Sequence, residues 1–412
     1  MSTLVSENLK DMNQRNPTVV FLSGSMQVGG TSMFALNACM GMRESGGWRG
    51  IAAGLREFDD VGPQIRSLGL EFFNPMPTSV IHEQRLEDIY RDCARISARA
   101  VVAGVSGDSF EFLRFVPSGC LRIGMIQSDD ECVYQMISHY LPWLDIIVGV
   151  SLEICRKMEA RLGGIQIPVI HQPYGVPMPS SENLRSTIGP LRVLYLGRVA
   201  DVQKRACMMA RIMQATLSAQ VDIEWTIAGD GPALPRMKGE FAEFTDRVNF
   251  PGFVSYSHVP QVLANHDVYF LCSDFEGLPL SLLEAMGAGL VPVVSDLPSG
   301  ISEVVNDENG IRIAIDDESG YADALVNLAR NRARLAPLSH NAARTVRHSH
   351  SYLAMARRWE AMLDTHHTGH DSEWGSRCSL KPPLNMPHGW LFHPFVRPFR
   401  VAAKRFMETF KT

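Results

Sequence analysis

Apolar residues along this 412-residue chain form short continuous runs, separated by longer segments in which apolar and polar positions alternate with helical spacing. Continuous runs of this length predict strands buried on both faces of a sheet. The predicted strands lie at 18–24, 98–105, 120–127, 144–151, the start of 167–179, 191–199, 222–232, 248–254, 267–273 and 291–296. Strands that alternate with helices indicate an α/β fold with parallel sheets and helices on both faces.

The strand–helix pattern restarts near residue 191, after a connector rich in proline and glycine. We therefore predict two Rossmann-like domains facing a cleft, at 1–178 and 179–367, followed by an extension at 368–412. Ligands of such sheets bind at the carboxyl ends of the strands, and two facing sheets add a cleft between domains.

The composition of the chain limits the kinds of partner and the cellular compartment that we expect for it. The formal net charge is −5 and 20% of residues are charged, so no basic excess is available to neutralise nucleic-acid phosphates. The eight cysteines include no CxxC pair, which favours reduced thiols. The polar N-terminus does not resemble a signal peptide, and no apolar run approaches about 20 residues. We expect a cytoplasmic protein.

Two cations follow the first strand of the second domain, in "LYLGRVADVQKRA". Arg198 lies at the strand tip and Lys204 six residues later. Backbone N–H groups and the helix dipole make such a corner suitable for phosphate, and two added cations could neutralise a diphosphate. The alternative is ordinary surface charge.

A second strand tip reads "AGDGP", with Gly229 and Gly231 on either side of Asp230. Glycines at a strand tip allow the backbone to approach a ligand closely. A simple tight turn explains the same residues.

The stretch "FEGLPLSLLEAMGAG" is the most specific element. Gly277 removes a Cβ at a strand-to-helix corner, and Ser281 could cap or start the helix. N–H groups near 278–281 would then point out of the helix N-terminus towards an anion. Glu284 could accept hydrogen bonds from a ribose diol, and Glu276 would face the same cleft. The alternative is a dipole-stabilised Glu284 and a solvated Glu276.

Taken in order from about residue 191 to 310, these motifs and "FPGFVS" resemble the family 4 glycosyltransferases of GT-B fold. The spacing of Glu276 and Glu284 matches the E-x7-E signature of that family. The resemblance implies a retaining enzyme that uses a UDP- or GDP-linked sugar as substrate, with no cofactor and no catalytic metal. It also implies a glycan or lipid-linked acceptor, in polysaccharide or lipopolysaccharide biosynthesis.

The resemblance assigns roles to the second domain. Arg198 and Lys204 would hold the diphosphate and the charge that develops on it, Glu284 the ribose, and Glu276 the hydroxyls of the transferred sugar. The nucleotide base would lie near the glycine-rich turn, and sugar and phosphate near the helix start. The residues implied there are Gly229, Asp230, Gly231, Gly277, Leu278, Pro279 and Leu280.

In the first domain, the resemblance implies that Gly29 and Gly30 face the donor phosphate and the acceptor. Many family members carry a histidine or aspartate at a strand end beside the donor sugar. Here the matching segment reads "GMIQSDDECVY", with Gln127 at the expected position. Asp129 or Asp130 would replace the histidine, or the enzyme works without it. The alternative is that both acids cap the following helix.

The C-terminal residues 390–412 combine aromatic and basic side chains, and from Phe399 onward the apolar ones fall on one helical face. Such a segment could lie on an anionic membrane as a peripheral contact at its inner face, or pack on the first domain. Two rival functions also remain open: a nucleotide-sugar 2-epimerase of the same fold, and an inactive GT-B-fold binding or scaffold protein.

Overall fold

The computed structural model describes residues 16–24, 26, 29–55, 61–75, 82–104, 106–179, 188–367 and 373–375. The predicted membrane contact at 390–412 lies outside these residues. Within them, none of the helices is both long enough and apolar enough to span a bilayer.

The first domain contains a parallel sheet of seven strands within the described residues, in the order β3-β2-β1-β4-β5-β6-β7. Its strands are β1 (Thr18–Ser23), β2 (Arg49–Gly54), β3 (Phe72–Phe73), β4 (Ala100–Gly104), β5 (Leu121–Ile126), β6 (Ile146–Gly149) and β7 (Val169–His171). Its helices are α1 (Gly30–Ser45), α2 (Gly62–Ser67), α3 (His82–Arg95), α4 (Gly107–Leu113), α5 (Glu131–Tyr140) and α6 (Leu152–Arg161). A short 3-10 turn covers Leu141–Trp143.

The second domain contains a parallel sheet of six strands, again counted over the described residues, in the order β10-β9-β8-β11-β12-β13. Its strands are β8 (Leu191–Leu196), β9 (Ile223–Ala228), β10 (Val248–Gly252), β11 (Val268–Leu271), β12 (Val291–Ser295) and β13 (Ile311–Ile313). Its helices are α7 (Ala206–Ser218), α8 (Leu234–Glu240), α9 (Val259–Ala264), α10 (Leu280–Gly287), α11 (Gly300–Val304), α12 (Glu318–Arg330) and α13 (Leu335–Ser349). The last described helix of the chain, α14, covers Tyr352–His366. Further 3-10 turns cover Tyr256–His258 and Arg332–Arg334.

Both sheets reverse their strand order at a switch point, between β1 and β4 in the first and between β8 and β11 in the second. At such a point neighbouring loops diverge to opposite faces and leave a crevice for ligand. The predicted α/β fold with two facing Rossmann-like domains is confirmed. The sequence pattern missed β2, β3 and β13, which are short or rich in glycine and alanine.

The central strands form because their residues are apolar on both faces. Every residue of β1 and of β11 is buried, as expected for strands covered by helices on both sides of a parallel sheet. The large aromatic side chains Trp225, Phe270 and Tyr321 stack edge to face in the second core. Two rigid sheets thus support the loops at their carboxyl ends.

The last helix returns to the first domain. Trp359 of α14 packs against Phe21 and Phe34, with ring centroids 5.4 and 5.9 Å away. The return is made beside the connector, where Val176 pairs with Ser351 in a short parallel bridge. Two chain segments therefore cross side by side between the sheets. The predicted boundaries at 178 and 367 remain predictions.

Candidate active site

A cleft of about 930 Å³ opens between the carboxyl ends of the two sheets. It contains nearly all of the site residues predicted from the sequence. Those that line it are Gly29, Gly30, Arg198, Lys204, Gly229, Asp230, Gly231, Glu276, Gly277, Leu278, Pro279, Leu280 and Glu284. The two predicted residues that do not line it are Asp129 and Asp130.

The cation side of the cleft is built from two loops on either side of the second switch point. Lys204, in the loop after β8, forms an ion pair with Glu276, which follows β11 and is 6% exposed. Gln203 ties the same loops together, since its side-chain amide donates to the Phe275 carbonyl at 3.1 Å. Lys204 is thereby held beside the carboxylate rather than extended into water.

The backbone around Lys204 is strained. Gln203 and Arg205 have φ values of 72° and 50°, which side chains other than glycine rarely adopt. Such residues cost on the order of 1–3 kcal/mol each and persist only where other contacts hold them. Here the Arg205 guanidinium binds Asp274 and Asp316. Sequence reasoning gave no signal of this strain.

Arg198 differs from Lys204 in its surroundings. Its side chain is exposed, and within the described part of the chain it makes no hydrogen bond or ion pair. Its own carbonyl is fixed by the Tyr195 hydroxyl, so the loop is anchored while the guanidinium stays available. The arrangement offers one paired and one unpaired cation to an anion.

The glycine-rich turn after β9 packs against the loop that follows β8. A Cβ on Gly229, whose φ is 147°, would lie 1.8 Å from the Gly197 carbonyl oxygen. The glycine therefore allows two strand-end loops to touch. The neighbouring Asp230 is exposed and accepts from the Gly231 N–H at 2.7 Å, as in a tight turn.

Helix α10 presents its N-terminus to the cleft without a side-chain cap. Pro279 occupies the N-cap position, and no side chain caps the helix. Of the two roles considered for Ser281, the cap is wrong, because its hydroxyl hydrogen-bonds Tyr269 at 2.8 Å instead, and the residue lies in the first turn of the helix. The N–H groups of the first turn are therefore available to an anion, which the helix dipole favours.

Gly277 brings the backbone of the second domain against that of the first. A Cβ there would lie 2.4 Å from the Gln127 carbonyl oxygen and 2.9 Å from Val150. Only glycine fits this contact without a shift of the domains.

Glu284 lies on the cleft side of α10, beside Tyr256. Burial raises the pKa of its carboxyl to about 7, from an ordinary value of 4.5. No cation of the described residues offsets this burial. A ligand that donates hydroxyl hydrogen bonds to the carboxylate would restore its ionised form.

Asp129 and Asp130 serve the first domain's own structure. Asp130 caps α5 by accepting from the Cys132 N–H at 2.9 Å. Asp129 accepts from the Tyr134 hydroxyl at 2.8 Å and pairs with Lys157 at 2.6 Å. The catalytic role predicted for them finds no geometric support, and the helix-capping alternative accounts for Asp130.

At the end of β5 the cleft is instead lined by Gln127 and Ser128. Aromatic residues that sequence reasoning missed also line it, namely Tyr174, Phe253 and Tyr256. They come from connector and loop segments, where periodicity carries no information. Among the described residues, no group of three or more His, Cys, Asp or Glu side chains could hold a metal ion.

Comparisons with known proteins agree with this geometry. Residues 190–331 match the family model described as glycosyl transferases group 1. Escherichia coli K12 WcaL, provisionally named a colanic acid biosynthesis glycosyltransferase, is 30% identical over 195 residues, or 43% of this chain and 47% of WcaL. The O-antigen biosynthesis glycosyltransferase WbnH of E. coli is 29% identical over 43% of this chain and 49% of WbnH. The match thus spans about half the length of these curated relatives.

Solved structures extend the likeness over both domains. A Staphylococcus aureus TarM variant, in complex with fondaparinux, α-GlcNAc-glycerol and UDP, superposes with a TM-score of 0.72 at 9% identity, covering 84% of this chain and 100% of TarM. Anabaena HepE in complex with UDP and glucose gives 0.69 at 12% identity, covering 85% of this chain and 100% of HepE. The chain therefore has the GT-B fold, and its residues 190–331 are similar to the glycosyl transferases group 1 family.

Proposed function

We propose that this protein is a retaining glycosyltransferase that moves a sugar from a UDP- or GDP-linked donor to a glycan or glycolipid acceptor. The observation that carries the proposal is the anion site at the second switch point. It combines unpaired Arg198, Lys204 held by Glu276, and the uncapped N-terminus of α10. These groups suit a diphosphate, the leaving group of a nucleotide sugar.

The chemistry follows from where charge develops. As the bond between the sugar and the diphosphate breaks, negative charge grows on the departing phosphate oxygen. Arg198 and Lys204 would be preorganised to stabilise it, so the barrier falls without a proton donor of matched pKa. Glu276, already engaged with Lys204, would contact the sugar's hydroxyls and not act as a free base.

The remaining cleft has room for the rest of the donor. A volume of about 930 Å³ falls within the range for small-molecule sites, about 300–1,000 Å³. Glu284 would bind the ribose diol, and the turn at 229–231 would lie near the base. The first-domain loop at Gly29 and Gly30 would face the acceptor.

The comparisons favour a role in surface polysaccharide assembly. WcaL and WbnH are named for colanic acid and O-antigen biosynthesis, and TarM and HepE were crystallised with UDP. We propose cytoplasmic catalysis without a metal cofactor, with peripheral contact at the membrane through 390–412. Full activity in excess EDTA, and vesicle binding that is lost on truncation near residue 385, would support these two points.

A donor screen tests the function directly. The full chain is mixed with UDP, GDP, UDP-glucose, UDP-galactose and GDP-mannose, and thermal unfolding is followed at several concentrations. A ligand of the native state raises the unfolding temperature with its concentration. We expect a shift with one nucleotide series and its sugar, followed by transfer to an acceptor with the anomeric configuration retained in NMR spectra.

Three outcomes would contradict the proposal. Epimerised free donor without any acceptor would indicate the epimerase. Nucleotide-sugar binding without turnover, over a wide acceptor panel, would indicate a binding protein. An inverted product would contradict retention.

A further inference from the structure

The loop that carries Lys204 has an arginine at a position where the backbone favours glycine. Arg205 has φ 50° and ψ 46°, in the left-handed region, and directly precedes helix α7. A residue with a Cβ is disfavoured in that region, whereas glycine adopts it without strain. Contacts of the arginine side chain must therefore offset a backbone cost that a glycine would avoid.

The guanidinium of Arg205 joins three loops at the carboxyl edge of the second sheet. Its Nε atom lies 2.9 Å from a carboxylate oxygen of Asp274, in the loop after β11. Its two terminal nitrogens donate to the Ile315 carbonyl oxygen and to the Asp316 carboxylate, in the loop after β13. Arg205 itself follows β8, so one side chain connects the ends of three strands. A planar guanidinium presents donors in several fixed directions, which the single ammonium group of a lysine cannot reproduce.

The backbone of Lys204 is held from both sides. Before it, the Gln203 side chain donates to the Phe275 carbonyl at 3.1 Å, and the Gln203 carbonyl accepts from the Asp274 N–H at 2.8 Å. After it, Arg205 binds the Asp274 carboxylate. Both neighbours of Lys204 are thus tied to the loop after β11. Within the described part of the chain, Gln203 and Lys204 line the cleft and Arg205 does not.

We propose that Arg205 is a positioning residue. Its guanidinium contacts fix the loop of Lys204, and they place the Lys204 ammonium group where charge develops on the leaving diphosphate. The inference rests on the proposed function. Preorganised cations stabilise a developing charge only from the correct position, and a displacement of about 1 Å can cost about 10²-fold in rate. Arg205 acts through Lys204 and does not contact the donor.

Arg205→Gly tests this role, because glycine fits the backbone and lacks the guanidinium. We expect kcat to fall about 10- to 30-fold, since Lys204 keeps its charge and loses its fixed position. The affinity for UDP or GDP alone should change by less than about threefold, because positioning acts mainly on the transition state. The unfolding temperature should change little, since relief of the left-handed backbone offsets part of the lost contacts. Steady-state kinetics, calorimetric titration and thermal unfolding measure the three quantities.

A double-mutant cycle with Lys204 gives a readout that a merely structural role would not move. Adding Arg205→Gly to Lys204→Ala should change kcat by less than about twofold, because the group to be positioned is already absent. Adding it to Glu284→Gln, which alters the proposed ribose contact, should still cost about 10- to 30-fold. Equal losses in the two backgrounds would overturn the role.

Two further variants separate the contacts of Arg205 from its backbone and from its charge. Gln220→Gly alters another left-handed residue, with φ 52°, which is exposed just beyond the other end of α7. It should leave kcat unchanged, and its unfolding temperature shows the effect of backbone relief alone. Arg205→Lys keeps the charge and loses the planar fork, so we expect it to recover at most about threefold of the lost activity. Full activity in Arg205→Lys would show that a nearby charge suffices and would overturn the role.

Asp274→Asn tests the same contact from its other side. The Asp274 side chain is 45% exposed, so the change should leave the fold intact even if Arg205→Gly does not fold. We expect kcat to fall about three- to tenfold, because one of the contacts of the guanidinium loses its charge. That loss should again disappear when Lys204 is alanine. A loss that persists in the Lys204→Ala background would count against positioning.

Failure of this inference differs from failure of the proposed function. If wild-type protein binds neither UDP nor GDP, the proposed function fails. If it binds and transfers sugar while Arg205→Gly has wild-type kcat, the role of Arg205 alone is overturned.

Discussion

The two walls of the cleft have the same backbone plan and opposite chemistry. Both come from parallel sheets with a switch point, and both present a helix N-terminus that no side chain caps, α1 behind Gly29 and α10 behind Pro279. The second-domain wall carries the charged side chains Arg198, Lys204, Asp230, Glu276 and Glu284. Among the described residues, the first-domain wall carries none.

Under the proposed function, this difference means that one domain binds the charged diphosphate and the other distinguishes among sugars and acceptors. A nucleotide diphosphate is the same in every donor of its series, so its site can be built once from fixed charges. Sugars and acceptors are mostly neutral, and they are distinguished by hydrogen bonds and shape. A wall whose described residues carry no charge suits that task.

The largest expected effect comes from the charged wall. Lys204→Ala removes a cation from the site of developing charge, so we expect kcat to fall by about 10²- to 10³-fold. It also leaves Glu276 buried without a partner, which will lower stability. Steady-state kinetics and thermal unfolding measure the two effects separately.

Lys157→Ala is the matched control for that change. It removes the same charge, in an ion pair with Asp129 that does not line the cleft. A similar loss of activity in both variants would show that the effect is not local to the site. Near-normal kinetics in Lys204→Ala would remove the basis of the anion site.

The next largest effect is expected at the contact between the two walls. Gly277→Ala places a Cβ 2.4 Å from the Gln127 carbonyl oxygen, so the domains must shift. A displacement of about 1 Å at a reacting centre can cost about 10²-fold, and we expect kcat to fall about 10- to 100-fold. Nucleoside diphosphate affinity, which depends on the second domain, should change much less. Gly239→Ala, at a glycine with open space around it, is the control.

A smaller effect should appear as pH dependence. The pKa of Glu284 is raised to about 7, so between pH 6 and 8 its ionised fraction, and with it the affinity for UDP or GDP, should rise about tenfold. Glu284→Gln should abolish that rise, whereas Glu318→Gln, on an exposed ion pair with Arg211, should preserve it. Calorimetric titrations at several pH values measure both.

The Glu284 carboxyl also makes the stability of the ligand-free protein depend on pH. Because the folded state raises the pKa of Glu284 above its ordinary 4.5, the folded protein binds the proton more tightly than the unfolded chain. Stability from this group is therefore present at low pH and is lost as pH rises from about 4.5 through 7, by on the order of 1–3 kcal/mol. Denaturant unfolding of wild type and Glu284→Gln should converge at low pH.

The charged wall could be predicted from the sequence, whereas the neutral wall could be predicted only at Gly29 and Gly30. Arg198, Lys204, Glu276 and Glu284 stand at fixed spacings after strands of strong hydrophobic pattern, so local sequence places them. The resemblance points to the position of Gln127, but the burial of that residue and its contact with Gly277, 150 positions away, appear only in the structure. Tyr174 and Tyr256 likewise come from segments without periodicity.

Two further features depend on tertiary contacts that local sequence does not show. Ser281 follows the expected pattern of a cap, but the helix begins one residue earlier and Tyr269 takes its hydroxyl. The final helix α14 continues the helical pattern of the second domain, yet its Trp359 is buried on the first. Amphipathic spacing shows that a face is buried and not what covers it.

The smallest expected effect on activity belongs to Asp130, and it decides between the two readings of the acidic pair. Asp130→Ala removes the cap of α5 and should cost about 0.5–2 kcal/mol of stability. Ser151→Ala, which removes the cap of α6, should cost a similar amount.

Because neither residue lines the cleft, we expect kcat/KM within about twofold of wild type in both variants, at a temperature where each is fully folded. A hundredfold loss confined to Asp130→Ala, with normal binding of UDP or GDP, would show that this carboxylate reaches the sugar. The neutral wall would then acquire a charge during catalysis, and the division between the two walls would hold only for the ligand-free protein.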